Sequence, residues 1–425
     1  MRPKTIKTDY LCRVEGEAGL YARILEGRVE AQFRVFEAPR FFESFLRGRP
    51  YQDIIDFTAR ICGICPVAYQ MSSAHAIEKI FGVQVERPIR QLRRLFYAGE
   101  WIESHALHVY ILNGPDFYGA ASAWENRSYL PYAKQGLDFK RLGNRIMAVI
   151  GGRPVHPVSA KAGGFFKLPQ KKELAALIGE LEDACGQSLK AISWAAGLPF
   201  QSVPLDTEYV ALRHPDEYPM NEGRVVSSHG LDVGMDTFQE NIRQDQVAHS
   251  NALHWQMQKD GKLESYLVGP LARVNLNFDL LPKEIKDAIK KAGVEIPINN
   301  IEMGIVARCI EIAYAFHEAV RIIKEYEEPF SASAEVSPRA GTATWITEAP
   351  RGILIHRYTL EDKGRVTECH LIPPTAQNAA HIERTLHNYL ERNSEKQTEA
   401  LRKECERIIR AYDPCISCSV HLVKM

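Results

Sequence analysis

The sequence has no excess charge of either sign, and this lack disfavours one class of protein. Its 53 Lys and Arg residues balance 53 Asp and Glu residues, so the formal net charge at pH 7 is zero. Proteins that bind nucleic acid usually show a basic excess, so we expect no nucleic-acid partner. No glycine-rich phosphate loop follows a predicted strand, so we do not expect the chain itself to bind a nucleotide.

Long apolar runs are also missing. No uncharged apolar stretch reaches the roughly 18 residues that a membrane-spanning helix needs. The N-terminal segment Met1–Lys7 lacks the apolar core of a signal peptide. We therefore expect no membrane span in this chain, and we expect any export signal to lie on a partner protein.

The composition that remains is typical of a packed globular protein. Of the 425 residues, 45% are apolar and 25% are charged. These proportions exclude a disordered chain, a collagen-like repeat and a small disulfide scaffold. The length alone allows two or three domains, or one large domain.

Hydrophobic periodicity predicts mostly helices, with small antiparallel strand elements near both ends of the sequence. Alternating apolar residues predict a β-hairpin over about 20–36 and a second hairpin after Gly352. Apolar residues at helical spacing predict a helical core over about 50–197 and 299–411. The segment of about 198–297 is rich in turns, and we predict mixed structure there. The predicted fold class is therefore mostly α with small antiparallel β elements, an α+β fold.

Four of the nine cysteines form two Cys-x-x-Cys pairs, Cys62 with Cys65 and Cys415 with Cys418. An odd number of cysteines in a chain of this length does not indicate a disulfide framework. Two residues between cysteines allow both sulfurs to reach one metal or one redox partner. Four thiolates form a soft site that suits zinc, iron or nickel.

A structural zinc site is the plain alternative at this stage, and it stays open. Structural zinc pairs usually lie within about 20 residues of each other, whereas these two pairs lie at opposite ends of the chain. A thioredoxin-like redox role is weaker, because neither pair follows a βαβ pattern. A site assembled from both ends of the chain indicates that metal loading completes the fold.

The segments around these cysteines resemble the two signature motifs of nickel–iron hydrogenase large subunits. Other segments resemble further motifs of that family, in the family's order along the chain, which argues strongly against coincidence. The resemblance implies the large-subunit fold with a central helix bundle, in a single domain of residues 1–425 with a metal-binding tail at 413–421. The matching segments are Arg13–Gly16, Arg40–Glu43, Arg60–Cys65, Ser104–His105 with His108 and Asp116, Ala349–Gly352, Pro374–Asn378 and Asp413–His421.

The resemblance implies a nickel–iron centre. In the family all four cysteines bind nickel, and the second of each pair also bridges to an iron that carries one CO and two cyanides. Carried over to this chain, Cys62 and Cys415 are terminal nickel ligands, and Cys65 and Cys418 bridge nickel to iron. The implied activity is reversible heterolytic cleavage of H2, with electrons passed to an iron–sulfur small subunit.

Heterolytic cleavage of H2 needs a base that takes the proton. Glu15 matches the glutamate that relays this proton from the cysteine corresponding to Cys415. Taken alone, Glu15 would be a turn residue beside the first hairpin. Arg351 matches an arginine held over the open metal position, with Asp116 and Asp413 around it.

The resemblance also implies roles for residues that bind no nickel. Thr375 matches a residue whose hydroxyl hydrogen-bonds a cyanide, although taken alone it would be a helix N-cap. Glu43, the carbonyl of Leu371 and the side chain of His421 match the protein ligands of a magnesium ion, which prefers oxygen-rich ligation with waters. Taken alone, Glu43 would be a solvated charge on a helix.

One position departs from the family pattern. The family often has a histidine four residues after the second cysteine, which hydrogen-bonds a bridging sulfur, and this chain has Tyr69 there. We expect His75 to lie too far along the helix to replace that histidine. We interpret His105 and His108 as packed core histidines rather than metal ligands.

The short segment Leu422–Met425 after His421 and the chain length resemble the cytoplasmic, NAD(P)-linked, sulfhydrogenase-type branch. This implies flavin- and NAD(P)-binding and ferredoxin-like subunits as further partners, and a maturation protease that cuts after His421. The alternatives are a hydrogenase of another branch with a different electron acceptor, or a non-catalytic scaffold. Such a scaffold would be stabilised by zinc or would resemble the quinone-site subunit of respiratory complex I, which shares this ancestry but lacks the four cysteines.

Overall fold

The computed structural model describes residues 3–420, and it confirms a mixed fold of helices and small sheets. Helices hold 46% of the chain and strands hold 20%. The α-helices of the described residues are α1 (Phe42–Leu46), α2 (Tyr51–Ala59), α3 (Pro66–Phe81), α4 (Arg87–Leu107), α5 (Leu130–Gly151), α6 (Lys171–Ala175), α7 (Ile178–Ala196), α8 (Pro270–Asn277), α9 (Lys283–Lys291), α10 (Gly304–Glu325), α11 (Pro374–Arg392), α12 (Thr398–Ala411) and α13 (Ile416–Ser419). The strands are β1 (Lys4–Thr8), β2 (Ala18–Leu25), β3 (Arg28–Val35), β4 (Ala160–Lys161), β5 (Gly164–Phe165), β6 (Glu208–Arg213), β7 (Arg224–Ser227), β8 (Asp232–Val233), β9 (Ile242–Asp245), β10 (His254–Lys259), β11 (Lys262–Glu264), β12 (Tyr266–Leu267), β13 (Gly341–Ala349), β14 (Gly352–Leu360) and β15 (Val366–Ile372).

Long helices form the centre of the molecule. α4 packs against α5 on one side and against α10 on another, and α10 also packs against α7. The apolar faces that predicted these helices meet in one large core. The crossing of α4 and α5 is close, since a β-carbon on Gly143 would lie 2.5 Å from the carbonyl oxygen of Gly99. Any larger residue at position 143 would therefore push the two helices apart.

Both predicted hairpins are present, and each belongs to a three-stranded antiparallel sheet. β2 and β3 pair from Ala18 opposite Val35 to Leu25 opposite Arg28. The two residues between them, Glu26 and Gly27, have φ of 50° and 80°, the backbone that a tight type I′ hairpin turn requires. The periodicity missed the third strand of each sheet, β1 beside β2 and β13 beside β14.

The segment predicted as mixed consists of short strands and two helices. β6, β7, β8 and β12 form a four-stranded sheet, and β9, β10 and β11 form a separate ribbon. Their apolar residues share a second, smaller core with β13 and β14. That residues 1–425 form a single domain stays a prediction.

The two ends of the described chain meet. Glu15, which precedes β2, forms a parallel bridge with Cys415, which follows α12. The predicted tail residues His421 and Leu422–Met425 lie outside the described residues. Across residues 3–420, none of the helices combines the length and the apolar character that a bilayer crossing requires.

Candidate metal centre

The first cysteine pair lies on the loop between α2 and α3. Cys65 immediately precedes α3, and Pro66 occupies the first turn of that helix, where its missing N–H costs nothing. The backbone N–H of Ile64 donates to the Cys62 sulfur at 3.3 Å. The loop therefore turns one sulfur toward its own backbone and leaves the other at the start of a helix.

Glu100 of α4 supports this loop through hydrogen bonds to the start of α3. Its carboxylate accepts the N–H of Val67 at 2.6 Å and the N–H of Ala68 at 3.1 Å, two of the amides that a helix start leaves unpaired. Glu100 is fully buried, and this burial raises its pKa well above the ordinary value. Sequence reasoning gave Glu100 no role, because one glutamate in a helical pattern carries no signal of what it contacts.

The second cysteine pair depends on distant parts of the chain. The backbone N–H of Cys415 donates to the hydroxyl of Thr375 at 2.9 Å. The N–H of Ile416 donates to the carbonyl of Glu15 at 3.0 Å, and the N–H of Ser417 donates to the Glu15 carboxylate at 3.1 Å. Three successive amides of the metal-binding tail are therefore held by residues from the other end of the chain and from α11.

The position after Glu15 has to be glycine. Gly16 has φ of 86°, and a β-carbon there would lie 2.7 Å from the β-carbon of Ile416 and 2.8 Å from the backbone nitrogen of Ser417. The close approach of the two chain ends and the left-handed backbone both exclude a larger residue. This explains the Glu-Gly pair in the N-terminal motif.

Arg40 joins the two cysteine loops. Its guanidinium donates to the carbonyl of Ile61, next to Cys62, at 2.7 Å, and to the carbonyl of Ser417. Its backbone N–H donates to the carbonyl of Val420 at 2.9 Å. The motif containing Arg40 was recognised in the sequence, but the contact that gives it meaning becomes visible only in three dimensions.

The four cysteine sulfurs meet in one buried cluster. All four lie within 4.8 Å of one another, with 3.5 Å between Cys62 and Cys415, 3.7 Å between Cys65 and Cys418 and 2.50 Å between Cys415 and Cys418. None of these residues is more than 4% exposed. The hydrogen bond from the Cys65 side chain lowers the pKa of Cys62, against the opposing effect of burial. Four sulfurs that converge in a dry site fit a soft metal such as nickel or iron, since buried thiolates need a cation to balance them.

Arg351 places a positive charge beside this cluster. It follows β13, and it is 2% exposed. Its guanidinium donates to the carbonyl of Asp413 at 2.8 Å, to the Asp413 carboxylate at 3.1 Å and to the Ser104 hydroxyl at 3.3 Å. Burial by itself lowers the pKa of Arg351, but the charges of Asp413 and the cysteines raise it above its ordinary value. Arg351 is therefore a fixed cation, held by Asp413 as the sequence predicts.

The prediction that Asp116 lies beside Arg351 is wrong. The Asp116 carboxylate accepts two hydrogen bonds from Arg410, at 2.7 and 2.9 Å, and another from Arg13. Two arginines from the chain ends thus engage Asp116, and Ser104 of α4 supplies the second contact of Arg351. Both Ser104 and Asp116 belong to the same sequence motif, and spacing alone did not reveal which side chain faces the arginine.

Thr375 is not a helix N-cap. α11 begins at Pro374 and its N-cap is Pro373, so Thr375 lies inside the first turn. It is 3% exposed, and its hydroxyl accepts the N–H of Cys415. The structure therefore assigns Thr375 a contact with the second cysteine pair.

Glu43 is half-buried on α1, so the alternative of a solvated charge is wrong. Its carboxylate accepts the backbone N–H of Leu371 at 2.6 Å. Burial raises the pKa of Glu43 to about 7. The two predicted magnesium ligands of the described chain are therefore neighbours, although the direct contact uses the N–H of Leu371 and not its carbonyl. The third, His421, lies outside residues 3–420.

His105 and His108 are buried in the core, as the sequence predicts. His105 lies 3.0 Å from the Glu311 carboxylate, and His108 lies 2.7 Å from the carbonyl of Arg410. Burial lowers the pKa of His105 to about 4. Burial also lowers the pKa of His108, and both rings are packed in the core.

Tyr69 occupies the position where the family often has a histidine. It is 1% exposed, and its ring centroid lies 5.5 Å from that of His356. Burial raises the pKa of Tyr69 well above its ordinary value. His75 instead stacks on Trp345 with ring centroids 5.0 Å apart, which agrees with the prediction that it does not replace the missing histidine.

Comparison with known proteins identifies the family of this chain. A family model described as nickel-dependent hydrogenase matches residues 40–129 and 231–421. The alpha subunit of sulfhydrogenase 1 from Pyrococcus furiosus is 33% identical over 431 residues, which cover 99% of this chain and 98% of that protein. The chain belongs to the nickel-dependent hydrogenase family.

A second relative and two solved structures agree with this family. The alpha subunit of sulfhydrogenase 2 from Pyrococcus furiosus is also 33% identical, over 434 residues that cover 99% of this chain and 100% of that protein. A structure of an NAD+-reducing NiFe hydrogenase in the H2-reduced state matches with a TM-score of 0.87 at 24% identity, covering 98% of this chain and 99% of that one. A structure of the Ni-Fe-Se hydrogenase of Desulfovibrio vulgaris Hildenborough, in the as-isolated oxidized state, has a TM-score of 0.80 at 23% identity and covers 99% and 100%. At these identities the structures support the fold alone.

The predicted resemblance is therefore confirmed, including the similarity to sulfhydrogenase alpha subunits. The chain is a hydrogenase large subunit, an oxidoreductase that activates H2. Its dependence on nickel agrees with the cluster of four buried sulfurs. The scaffold alternatives lose their support, because the family match extends over both cysteine motifs.

Proposed function

We propose that Cys62, Cys65, Cys415 and Cys418 hold a nickel–iron group, and that an H2 molecule is split heterolytically there. In this proposal Cys62 and Cys415 would hold nickel, and Cys65 and Cys418 would hold both nickel and an iron that carries one CO and two cyanides. The observation that carries the proposal is the convergence of four buried sulfurs within 4.8 Å from the two ends of the chain. When bound, the group supplies the redox chemistry, by taking up the electron pair of H2.

Glu15 is the residue that we propose to move the proton. Its backbone pairs with Cys415, and its half-buried carboxylate lies at the same chain crossing. The N–H of Ser417 holds the carboxylate in place. A carboxylate fixed next to a terminal cysteine can accept the proton from that sulfur and pass it toward the surface.

Arg351 is proposed to hold a positive charge over the open side of the group. Asp413 and Ser104 fix all three guanidinium nitrogens, so the side chain cannot swing away from the cluster. A preorganised cation stabilises negative charge that develops during the reaction without further rearrangement. Asp413 therefore acts through Arg351. Thr375 is proposed both to position Cys415 and to hydrogen-bond a cyanide.

Glu43, the carbonyl of Leu371 and His421 are proposed as protein ligands of a magnesium ion. Glu43 has an elevated pKa because it is buried, as expected for a carboxylate that lacks its counter-ion. A divalent cation at this position would stabilise the ionised form. Oxygen ligands with several waters are typical of magnesium.

We further propose that electrons leave through a small subunit that carries iron–sulfur clusters, and then through flavin- and NAD(P)-binding and ferredoxin-like subunits, in the cytoplasm. Two similar proteins support this branch, an NAD+-reducing NiFe hydrogenase and the alpha subunit of sulfhydrogenase 1. Among residues 3–420, the four active-centre cysteines form the single cysteine cluster that could bind a metal, so an iron–sulfur relay needs another chain. An isolated large subunit that reduces NAD(P) unaided would contradict this proposal.

A maturation protease is the last proposed partner. The described tail ends in two buried residues, Ser419 and Val420, and the carbonyl of Val420 accepts the N–H of Arg40. We propose cleavage after His421 once nickel is bound. Mass spectrometry of active enzyme from its native host tests this, and an active enzyme that still ends at Met425 would contradict it.

Isotope exchange on the purified holoenzyme tests the proposed reaction. We expect exchange between H2 and deuterated water, together with one nickel per chain. Exchange does not need the electron acceptor, so it tests the chemistry of the large subunit separately from its proposed partners. A fully loaded holoenzyme without exchange activity would contradict heterolytic cleavage at this centre.

A further inference from the structure

The described residues contain a second cluster of metal-ligating side chains, which lies outside the cysteine centre. Ligand atoms of His249, His254 and Glu383 all lie within 4.8 Å of one another. His249 lies between β9 and β10, His254 begins β10, and Glu383 lies on α11. These residues form no sequence motif, because the carboxylate lies far along the chain from the two histidines.

The geometry of this cluster is close to that of a metal site. His249 Nε2 lies 2.7 Å from Glu383 Oε1, and His254 Nδ1 lies 3.9 Å from Glu383 Oε2. Zinc bonds of about 2.0–2.1 Å place tetrahedral ligands about 3.3 Å apart, a value between these two separations. The two imidazole rings are steeply inclined, at 76°, so they do not stack, and small side-chain adjustments would bring all three ligands to one ion.

Glu383 lacks a strong cationic partner. Its side chain is 18% exposed, and the backbone N–H of Phe33 fixes Oε1 at 2.8 Å. Within residues 3–420, no lysine or arginine forms an ion pair with this carboxylate, whose ion-pair partners are the two histidines. A half-buried carboxylate without a permanent cation beside it favours the uptake of a metal ion.

His254 approaches the same carboxylate from a second strand position. It is 3% exposed, and its one ion-pair contact runs from Nδ1 to Glu383 Oε2. An ordinary ion pair would need only His249, and it leaves unexplained why a second histidine approaches the other oxygen.

We propose that His249, His254 and Glu383 bind a divalent transition metal, with zinc as the best fit and a water as the fourth ligand. Two neutral imidazoles and one carboxylate are a common zinc ligand set. The ion would fasten the ribbon of β9 and β10 to α11. It would be separate from the cysteine centre, because Glu383 lies eight residues beyond Thr375, about 12 Å along the helix.

Metal analysis of the holoenzyme tests this site. The enzyme is incubated with zinc, freed of loosely bound metal and analysed for nickel, iron and zinc. We expect one zinc per chain in wild type, and its loss in Glu383→Gln, whose amide oxygen still accepts the N–H of Phe33. The matched control is His387→Gln, which removes an exposed histidine that pairs with Glu391 on the same helix and should retain the zinc.

Cobalt gives a second readout that excludes binding to the cysteines. Cobalt bound by imidazole and carboxylate should show visible d–d bands without thiolate charge-transfer bands, and His249→Gln, at a partly exposed position, should abolish them. Zinc should also raise the Tm of wild type but not that of Glu383→Gln. Absence of the extra zinc in wild type would overturn the proposal. Retention of that zinc in both Glu383→Gln and His249→Gln would also overturn it. Nickel content and isotope exchange report on the cysteine centre separately.

Discussion

The two cysteine pairs supply equivalent sulfurs, but the protein supports them in opposite ways. Cys62 and Cys65 lie on a loop between α2 and α3, and the carboxylate of Glu100 on the next helix fixes the helix start. Cys415 and Cys418 lie on a tail that is held by residues distant in sequence, namely Glu15, Thr375 and Arg40. The contacts that hold the first pair come from residues at most 33 positions away along the chain, whereas those that hold the second pair come from residues up to 402 positions away. Assembly of the four-sulfur cluster therefore requires contacts between distant parts of the chain, an arrangement that would couple metal binding to folding.

Removal of any one of the four cysteine sulfurs should have the largest effect on activity. The effect should be the same for both cysteine pairs. Alanine in place of Cys62, Cys65, Cys415 or Cys418 should abolish isotope exchange between H2 and deuterated water, because each sulfur is a proposed ligand. Cys309→Ala is the matched control, since Cys309 is equally buried but lies outside the cluster, and it should keep activity. Full exchange activity in all four variants would refute the assignment.

Glu15→Gln should separate proton transfer from support of the tail. The amide oxygen can still accept the N–H of Ser417, but the amide cannot carry a proton. We expect normal nickel content and a loss of H2 uptake of about 100-fold or more, the usual contribution of a positioned acid or base. Glu15→Ala should lose nickel as well, because the tail loses the side-chain hydrogen bond. Near-normal turnover in Glu15→Gln would move the proton relay to another residue.

Thr375→Val should weaken the support of the second cysteine pair and leave that of the first pair unchanged. Valine has a similar shape but leaves the buried N–H of Cys415 without its acceptor, which costs about 1–3 kcal/mol. We expect reduced nickel per chain and a lower urea midpoint. Thr375→Ser keeps the hydroxyl and should restore nickel content. Equal nickel content in the valine and serine variants would show that this hydrogen bond does not position the tail.

Substitution of Glu100 by glutamine should have the smallest effect of these changes. Burial raises its pKa well above the ordinary value, which favours the neutral form, and Glu100→Gln keeps one acceptor oxygen. We expect a change of about 1 kcal/mol or less in the free energy of unfolding, by urea titration. Glu100→Leu leaves the amides of Val67 and Ala68 unpaired and should cost more, about 1–3 kcal/mol. A larger loss in the glutamine variant would mean that the ionised carboxylate is the stabilising form.

The difference between the two pairs also explains what the sequence could reveal. Apolar residues at helical spacing predicted the long helices, and residues alternating in polarity predicted β2 and β3, because both signals are local. The roles of Glu100 and Ser104 were missed, and Asp116 was assigned to the wrong contact, because each depends on which side chain faces which across the core. The short strands between residues 198 and 297 escaped for a similar reason, since runs of two to six residues show too little periodicity.

Infrared spectroscopy of the holoenzyme tests the central claim most directly. If the four sulfurs hold a nickel–iron group, the spectrum should contain bands from one CO and two cyanides, and X-ray absorption should detect nickel bonded to sulfur. Cys65→Ala should lose the infrared bands. A holoenzyme without CO and cyanide bands, in which X-ray absorption detects zinc bonded to the four sulfurs, would contradict the account.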